Sequence, residues 1–380
     1  MRLALYYPWL EGPGGVPAYC RLLCDALARD GIQTDSLCEA GPNRPHEPLV
    51  SAYYPDSRWP LMISDFTLLR RYLRRQGSSI DALMIVGGFS PYNAVAALIS
   101  RWSGVPYIVS LEGTVSREVL GYGRRGLKKL YWHLVERRIL ANAAAIRILS
   151  DFEERFLREL GVRAPMFLAR QGPDADAVAA SHTHARQRGR AQHFLFLGRL
   201  DIWHKGLDRL LMGFAASLKE EDRGQRLSMV GPPEPGTLTR LHELCAHLRL
   251  TPGREVSILP AVRGPAKWDV FRDADVFVHP SRKEGIPRSV VEALMLGLPV
   301  IVTQETNVAT IVEDAGAGWC VPSTAEGVQL GFQQATRCAD LSQMSEAASR
   351  LARAKLTWDT IAADFAQGAG AALNGRRPRP

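Results

Sequence analysis

Short apolar runs alternate with amphipathic segments along the first half of the chain. The runs include RLALYYPW, ALMIVGG, PYIVSLEG and AAAIRILS, and between them lie segments such as GVPAYCRLLCDALARDG, in which apolar residues recur at helical spacing. Such alternation is typical of a parallel sheet covered by helices on both faces. The pattern therefore predicts an α/β fold that begins with a buried strand.

A second series of the same kind follows the polar segment DADAVAASHTHARQRGR. Its apolar runs are HFLFLGRL, RLSMVG, EVSILP, ADVFVHPS and PVIVT, with helices predicted at 205–219, 237–249, 265–273 and 288–296. Two successive series predict two Rossmann-like domains that face each other across a cleft, at 1–172 and 173–356. Segment 357–373 predicts a C-terminal helix that crosses back to the first domain, and 374–380 is predicted to be a disordered tail.

Cysteine usage and hydropathy narrow the class of protein. The chain has 380 residues, of which 46% are hydrophobic, and its six cysteines are scattered without CxxC spacing. Neither a zinc site nor a disulfide framework is therefore predicted, and a reducing cytoplasm fits best. The opening apolar run lacks a small-residue cleavage site, and no window approaches the roughly 18 apolar residues of a membrane-spanning helix.

The positive charge is concentrated in the first half. Residues 1–190 carry 25 Lys and Arg against 18 Asp and Glu, which accounts for +7 of the net charge of +8. Within GYGRRGLKKLYWHLVERR, apolar residues at helical spacing predict a basic amphipathic helix. Such a helix either packs on its own core with a solvated basic face or binds an anionic membrane surface. No nucleic-acid-binding module is present, so a nucleic acid partner is not predicted.

A glycine-rich loop follows the first predicted strand. In EGPGG, Gly12, Gly14 and Gly15 would let the backbone approach a ligand closely. The loop is similar to the dinucleotide-binding GxGxxG, although Pro17 occupies the third glycine position; Asp35 would then be the ribose-binding acid. A nicotinamide-dependent oxidoreductase is therefore one alternative, which leaves the motifs of the second half unexplained.

Two cations follow the first strand of the second series. In GRLDIWHKG, Arg199 lies just beyond the predicted strand and Lys205 precedes the next helix. Arginine offers a planar fork of donors and lysine a point charge, so the pair can neutralise a diphosphate without a metal. The alternative is a pair of solvated surface cations.

The segment EGIPRSVVEALMLGLPVIV predicts a loop, a helix and a buried strand. Pro287 suits the first turn of the helix, and free N–H groups around Ser289 and Val290 would form an anion site. Glu284 in the loop can bind sugar hydroxyls, and Glu292 on the helix can accept both hydrogens of a ribose diol. Either glutamate could instead be a solvated acid that the helix dipole favours.

The sequence also contains two Asp-x-Asp segments, at 174–176 and 273–275. Neither lies at the carboxyl end of a predicted strand, where a metal-binding pair would be expected. Both are interpreted as turn or cap acids, and no metal site is predicted.

Four ordered segments together resemble the retaining GT-B glycosyltransferases of glycosyltransferase family 4, also described as glycosyl transferases group 1, over nearly the full chain. The most specific match is ADVFVHPSRKEGIPRSVVEALMLGLPVIVT, which is similar to the EX7E element of that family. The other three are FLGRLDIWHKGLDRLLMGF, SMVGPPEPG and GGVPAYCRLLCDAL.

The resemblance implies a role for each matched residue. Arg199 and Lys205 would bind the donor diphosphate, Glu284 the transferred sugar and Glu292 the ribose. The other residues implied in donor binding are Gly285, Ile286, Ser289 and Val290 around the phosphate and sugar, and Gly14 and Gly15 from the opposite domain. The implied reaction is metal-independent transfer, with retention, from a nucleotide-diphosphate-sugar to a glycan or lipid-linked acceptor, without a further cofactor.

The chain departs from the family pattern at two places. In PYIVSLEG, Glu112 occupies the position of the sugar-contacting histidine of S-x-H-G, and Gln171 and Gly172 replace part of the usual P-N-G. Glu112 can still accept a hydrogen bond from a sugar hydroxyl and is retained as a catalytic candidate. A non-catalytic nucleotide-sugar-binding homologue is the alternative that this departure leaves open.

Overall fold

The computed structural model describes residues 1–8, 10, 15–37, 61–115, 125–174, 177, 191–218 and 224–375. The predicted site residue Gly14, the neighbouring Gly12, most of the predicted linker and residues 376–380 of the tail lie outside them. The chain divides into two compact units, one formed by residues 1–171 and 358–380 and the other by residues 172–357.

The first unit is built on a six-stranded parallel sheet. Its strands lie in the order β2-β1-β3-β4-β5-β6, with bounds β1 Arg2–Tyr6, β2 Gln33–Leu37, β3 Ala82–Val86, β4 Tyr107–Ser110, β5 Ala145–Ile148 and β6 Met166–Leu168. Its helices are α1 Gly15–Arg29, α2 Leu61–Gln76, α3 Pro91–Trp102, α4 Arg125–Tyr131, α5 Arg137–Asn142 and α6 Asp151–Glu159. A 3₁₀ turn at Gly77–Ser79 follows α2, and a π-helical turn at Trp132–Glu136 joins α4 to α5.

Both faces of this sheet are buried, as the continuous apolar runs predict. Along β3, Leu83 and Ile85 belong to the core on one face, and Ala82, Met84 and Val86 to the core on the other. Successive side chains of a strand point to opposite faces, so a strand that is apolar throughout must be covered twice. The fold class predicted from the sequence is therefore confirmed for this unit.

The C-terminal helix, α14 Trp358–Asn374, belongs to the first unit, which confirms the predicted return of the chain. Trp358 stacks on Tyr19 of α1 with ring centroids 5.9 Å apart, and Phe365 meets Phe167 of β6 edge-on at 5.4 Å. A Cβ at Gly368 would lie 2.5 Å from the Phe167 ring, so glycine lets the helix approach the sheet.

The second unit contains a parallel sheet of six strands in the order β12-β11-β10-β7-β8-β9. The strands are β7 His193–Leu197, β8 Arg226–Val230, β9 Val256–Leu259, β10 Val276–His279, β11 Val300–Thr303 and β12 Gly318–Val321. The helices are α7 Leu207–Ser217, α8 Thr237–His247, α9 Pro265–Asp273, α10 Arg288–Met295, α11 Ala309–Asp314, α12 Ala325–Arg337 and α13 Ser342–Lys355. The four predicted helices correspond to α7–α10, whereas β12 and α11–α13 were not predicted.

Aromatic packing fixes the core of the second unit. The Phe194 ring contacts Phe332 edge-on at 4.7 Å, and Phe214 lies 5.2 Å from the same ring. The helices α7 and α12 that carry Phe214 and Phe332 approach closely at Gly213, where a Cβ would lie 2.9 Å from the carbonyl oxygen of Ala325. This packing holds α7, and with it the loop that precedes α7, against the sheet.

The predicted basic amphipathic helix is divided into α4, the π-helical turn and α5. Trp132 and Glu136 point into the core, whereas Leu127, Leu130 and Leu134 are about half exposed. No helix in the described part of the chain has the length and hydropathy needed to cross a bilayer.

Candidate active site

Two adjacent strands of the second sheet deliver the central pair of candidate residues. Strand β7 pairs with β10, and in a parallel sheet the carboxyl ends of neighbouring strands meet at one edge. The loop after β7 carries Lys205 and the loop after β10 carries Glu284, and the Lys205 ammonium donates a hydrogen bond to Glu284 Oε1. The next residue, Gly206, is essential to this approach because a Cβ there would lie 2.1 Å from the carbonyl oxygen of Pro280.

Glu284 is held as a carboxylate. Besides Lys205, its Oε1 lies 3.3 Å from the Ser281 hydroxyl and 3.4 Å from His279 Nε2, with His204 Nε2 at 3.9 Å. Burial alone would raise the pKa of Glu284, but Lys205 and the two histidines outweigh it and hold that pKa well below its usual range. The site therefore presents an ionised oxygen acceptor next to a cation.

His279, at the end of β10, contacts this carboxylate through its ring, although the sequence analysis assigned it no role. Its ring is buried and stacks on Phe196 at 5.9 Å and on Phe277 at 6.2 Å. Burial lowers the pKa of His279, so the ring is neutral at pH 7 and bonds Glu284 and Ser281 through Nε2. Its place at the carboxyl end of a buried strand, in the sequence HPS, is the signal that could have revealed it.

Arg199 lies on the more exposed side of the same edge, with 47% of its side chain accessible. It forms an ion pair with Glu234, from the turn after β8, and lies 3.5 Å from Asp201 and 3.4 Å from His204 Nδ1. The turns after β7 and β8 approach at Gly231, where a Cβ would lie 1.8 Å from the Gly198 carbonyl oxygen. An exposed arginine with exchangeable partners can turn its fork of donors to a phosphate.

The loop and helix after Glu284 are fixed by neighbouring backbone. Asn307 donates from its amide side chain to the Glu284 carbonyl at 3.2 Å and from its backbone to the Gly285 carbonyl at 3.1 Å. Ile286 is buried and Ser289 is partly exposed at the start of α10. The Val290 N–H donates to the Pro287 carbonyl at 3.0 Å, so the prediction that this amide is free is wrong: the first turn closes on itself.

Glu292 has 1% of its side chain exposed and is the centre of a charged cluster. Its Oε1 lies 2.7 Å from Lys267 Nζ, which lies at the same distance from Asp174 Oδ2, and Asp174 also binds Arg288 at 2.5 Å. Burial raises the pKa of Glu292 to about 7, with Lys267 opposing and Asp174 adding to the increase. Asp174, predicted to be a turn acid, therefore links two cations, and Lys267 is a neighbour that sequence reasoning missed.

In the first unit, Glu112 follows β4 in a left-handed backbone conformation, with φ of 52°. Its side chain is 1% exposed and lies 2.5 Å from Arg147, whose side chain is fully buried. Ser110 also donates to Oε1, and the Gln171 amide donates to Oε2. Both carboxylate oxygens of Glu112 are thus engaged by protein groups.

The structure gives no support to the dinucleotide-binding alternative. Asp35 lies inside β2, where it binds Arg2 at 2.8 Å and accepts a hydrogen bond from Tyr72 at 2.5 Å. The acid expected for the ribose is therefore already paired, and Gly15 is simply the first residue of α1. Among the described residues, no group of three or more His, Cys, Asp or Glu side chains is arranged to hold a metal ion.

Comparison with known families accounts for most of the chain. A family model described as glycosyl transferases group 1 matches residues 182–351, and one described as a glycosyl transferase 4-like domain matches residues 14–168. EpsF, a protein of Bacillus subtilis (strain 168) that is named as a glycosyltransferase, is 30% identical over 292 residues, which cover 73% of this chain and 70% of EpsF.

Solved structures show the same fold. Sucrose-phosphate synthase from Thermosynechococcus elongatus aligns with a TM-score of 0.72 at 20% identity and covers 98% of this chain and 99% of its own. Anabaena HepE in complex with UDP aligns at 0.71 and 16% identity, covering 97% and 99%. Together with the two parallel sheets, these likenesses show a two-domain GT-B fold. Since the family models and EpsF agree, the chain belongs to the glycosyl transferases group 1 family and is a glycosyltransferase.

Proposed function

We propose that the protein transfers a sugar, with retention and without a metal, from a nucleotide-diphosphate-sugar to a glycan or lipid-linked acceptor in polysaccharide or glycoconjugate biosynthesis. The observation that carries the proposal is the contact between Lys205 and Glu284, supported by His279, at the carboxyl ends of β7 and β10. Structures of HepE in complex with UDP and glucose, which share the fold, support a nucleotide-sugar as donor.

The chemistry follows from where charge develops. Cleavage of the bond between the anomeric carbon and the diphosphate leaves negative charge on the diphosphate and positive charge on the sugar. Lys205 and Arg199 stabilise the first, and the Glu284 carboxylate binds sugar hydroxyls beside the second. The net reaction forms a bond between the acceptor oxygen and the anomeric carbon, which keeps the anomeric configuration of the donor, and the acceptor proton departs with the nucleoside diphosphate.

Metal independence is proposed because two side-chain cations lie where the leaving group would be. Arg199 contacts Glu234 and Asp201 with about half of its side chain exposed, so its guanidinium can exchange these partners for a phosphate. The partly buried Lys205 supplies a fixed charge beside Glu284. Each replaces part of the neutralisation that a divalent cation supplies in other phosphate chemistry.

The test is a thermal-shift panel of UDP, GDP, ADP and their sugars, with and without EDTA. Ligand at 100 times its Kd stabilises the folded state by about 2.7 kcal/mol, so one nucleotide series should raise the Tm of the wild type, with EDTA present or absent. Lys205→Met should lose this increase, and the exposed control Lys355→Met should keep it. Absence of any shift, or a shift that EDTA abolishes, would contradict the donor-site proposal; an inverted anomeric product by NMR would contradict retention.

For the acceptor side, we propose a cytoplasmic protein that binds the anionic face of a membrane through α4 and the turn after it. Leu127, Leu130 and Leu134 are exposed, and Lys128 and Lys129 lie among them. An apolar stripe with interleaved lysines combines hydrophobic insertion with attraction to anionic lipid.

Co-sedimentation with liposomes tests the membrane proposal. Binding should be stronger to vesicles in which about a third of the lipid is phosphatidylglycerol than to vesicles of phosphatidylcholine alone. Each lysine near an anionic surface contributes about 1 kcal/mol to membrane binding. Replacing Leu127, Leu130 and Leu134 by serine should abolish binding. Serine at Leu238 and Leu330 of the second unit, which are also exposed, is the control. Equal sedimentation of all three proteins would count against a membrane role for this surface.

A further inference from the structure

Lys267, near the start of α9, is the cation that contacts the buried Glu292. Its Nζ lies 2.7 Å from Glu292 Oε1 and 2.7 Å from Asp174 Oδ2, and its ammonium lies 4.7 Å from the centroid of the Trp268 ring. One ammonium is therefore shared by two carboxylates from different parts of the second unit. The family resemblance implies a ribose contact for Glu292 alone and gives Lys267 and Asp174 no role.

The sharing of the Lys267 ammonium affects the ionisation of Glu292 because other charged groups lie close by. Lys267 and Asp174 act on its pKa in opposite directions, and Arg288 at the start of the same helix binds Asp174 at 2.5 Å. The neighbouring helix α13 places uncharged serines, Ser345 and Ser349, near the end of α10. Ser345 donates a hydrogen bond to the Gly297 carbonyl at 2.6 Å. Two carboxylates and two cations thus form one cluster. The balance of their charges decides whether Glu292, the most buried of the four, is ionised.

We propose that Lys267 is a positioning residue for nucleotide binding, which divides its positive charge between Glu292 and Asp174 and so sets how Glu292 presents its carboxylate to the ribose. This inference rests on the proposed nucleotide-sugar donor and on the ribose contact that the family resemblance implies for Glu292, in which its carboxylate accepts hydrogen bonds from the ribose diol. A carboxyl group accepts both diol hydrogens only when it is ionised, since the protonated form has one donor and less acceptor capacity.

The charge balance predicts opposite effects for two substitutions. Burial raises the pKa of Glu292 to about 7, where Lys267 favours the carboxylate and Asp174 disfavours it. For Asp174, burial is outweighed by Lys267 and Arg288, which lower its pKa and keep it ionised. Lys267→Met therefore moves the pH at which Glu292 ionises upward, and Asp174→Asn moves it downward. A purely structural role of either residue would weaken binding equally at every pH.

The experiment measures the Kd of a nucleotide sugar by calorimetry between pH 5.5 and 8.5, with UDP-glucose, GDP-mannose and ADP-glucose as probes. Their diphosphates are diesters and do not titrate in this range, unlike free UDP. In the wild type, affinity should increase as the pH rises through about 7. Lys267→Met should raise the midpoint by about one pH unit, which is about a tenfold loss of affinity below the midpoint. Asp174→Asn should lower it, and Lys267→Arg should keep the wild-type profile.

Lys355→Met is the matched control, since it removes an exposed lysine of the same unit, and thermal unfolding of each variant checks that the fold is intact. A Lys267→Met profile equal to the wild type, or midpoints that move in the same direction in Lys267→Met and Asp174→Asn, would overturn the inference alone. Glu292→Ala that binds as tightly as wild type at every pH would overturn the ribose contact of Glu292 and the inference with it. Wild-type protein that binds none of the three probes would overturn the proposed donor site as well.

Discussion

Glu112 and Arg147 form an ion pair whose two side chains are almost completely shielded from water. Arg147 also donates to the Arg170 carbonyl at 2.7 Å, and its guanidinium lies 4.7 Å from the Tyr19 ring centroid. With Gln171 on the other carboxylate oxygen, the pair ties the loop after β4 to residues 170–171, where the first unit ends. In this arrangement, Glu112 holds backbone in place through both of its carboxylate oxygens.

We predict that either partner is costly to remove alone. Glu112→Gln leaves the buried Arg147 guanidinium without its carboxylate, and Arg147→Met leaves the buried Glu112 carboxylate without its cation. Each substitution should therefore lower the free energy of unfolding by about 3–5 kcal/mol. The double variant should lose clearly less than the sum, because neither charge is then stranded. Urea unfolding measures all three, with Arg350→Met, which breaks an exposed ion pair, as a control expected within about 0.5 kcal/mol of wild type. Strict additivity would contradict the coupling.

His279 can be tested separately from Glu284. His279→Phe keeps an aromatic ring in the stack between Phe196 and Phe277 but removes the bond to the carboxylate. Since a hydrogen bond to a charged group contributes about 1.5–3 kcal/mol, nucleotide release from the donor in the presence of acceptor should slow by roughly 10- to 100-fold. The Tm should stay close to that of wild type, and the exposed His247→Phe should retain full activity. Full activity of His279→Phe would show that Glu284 does not depend on it.

At the residue scale, the sequence predicts side chains that lie in recognisable motifs, such as Lys205 and Glu284 although they are 79 residues apart, and misses those that lie in no motif. Glu284 and Glu292 were identified because a loop and a helix start carry them eight positions apart. Lys267 lies 25 residues from Glu292 and 93 from Asp174, so only the packing of α9 beside α10 brings it to the site. Arg147, within the apolar run AAAIRILS, received no assignment from the sequence, and its carboxylate partner is 35 residues away.

At the element scale, the loop that leads into α7 depends on one glycine. Gly206 has φ of 66° and its Cβ position lies 2.1 Å from the Pro280 carbonyl oxygen, whereas Gly236, in the same position before α8, has φ of 76° and no atom within 4 Å of its Cβ position. The two glycines therefore share the left-handed conformation and differ in the space around them.

We expect Gly236→Ala to cost about 1–2 kcal/mol, which is the strain of alanine in the left-handed region. Gly206→Ala should cost more, because the methyl group must push the loop of Lys205 away from β10, and it should also weaken nucleotide binding. Thermal unfolding and calorimetry with the nucleotide that binds wild type measure the two effects. Equal costs, or nucleotide affinity that is unchanged in Gly206→Ala, would show that the close approach is not needed to position Lys205.

Predicted elements matched the structure where the periodicity was strong. Helices α7 to α10 begin and end within two residues of their predicted bounds, because each has an apolar face between polar loops. Strand β12, GWCV, was missed because it is short and mostly only partly buried. The π-helical turn at Trp132–Glu136 was also missed, since one widened turn hardly changes the spacing of apolar residues, although it directs Trp132 and Glu136 into the core.

At the scale of the whole molecule, the alternation of strands and helices predicted two α/β units because the inner strands of both sheets, such as β3, β4, β10 and β11, are buried along their whole length. What the alternation could not predict is the ionisation of buried acids, which depends on three-dimensional surroundings. Burial raises the pKa of Glu136 to about 7, although a backbone hydrogen bond from Phe89 acts to lower it. Burial likewise raises the pKa of Glu153 to about 7, although a backbone hydrogen bond from Leu149 acts to lower it. Both lie in the first unit.

These two acids predict a pH-dependent stability with a definite sign. In the unfolded chain a glutamate ionises near pH 4.5, whereas Glu136 and Glu153 in the folded chain hold their protons until about pH 7. Their contribution is therefore present in full below pH 4.5 and is lost as the pH rises to about 7, by about 3 kcal/mol each at most. Burial lowers the pKa of His193, His204 and His279, so these histidines act in the opposite direction below pH 6.5.

The histidines contribute equally to wild type and to each glutamate variant, so their contribution cancels in the difference between the two free energies of unfolding at one pH. Glutamine resembles a protonated glutamate, so Glu136→Gln should have nearly the stability of wild type at pH 5 and exceed it by up to about 3 kcal/mol at pH 8. Glu153→Gln should behave in the same way, and the exposed Glu346→Gln should match wild type at both pH values. Urea unfolding at the two pH values measures the differences. If Glu136→Gln is no more stable than wild type at pH 8, the carboxylate is accommodated by rearrangement around the π-helical turn, and the raised pKa does not limit stability.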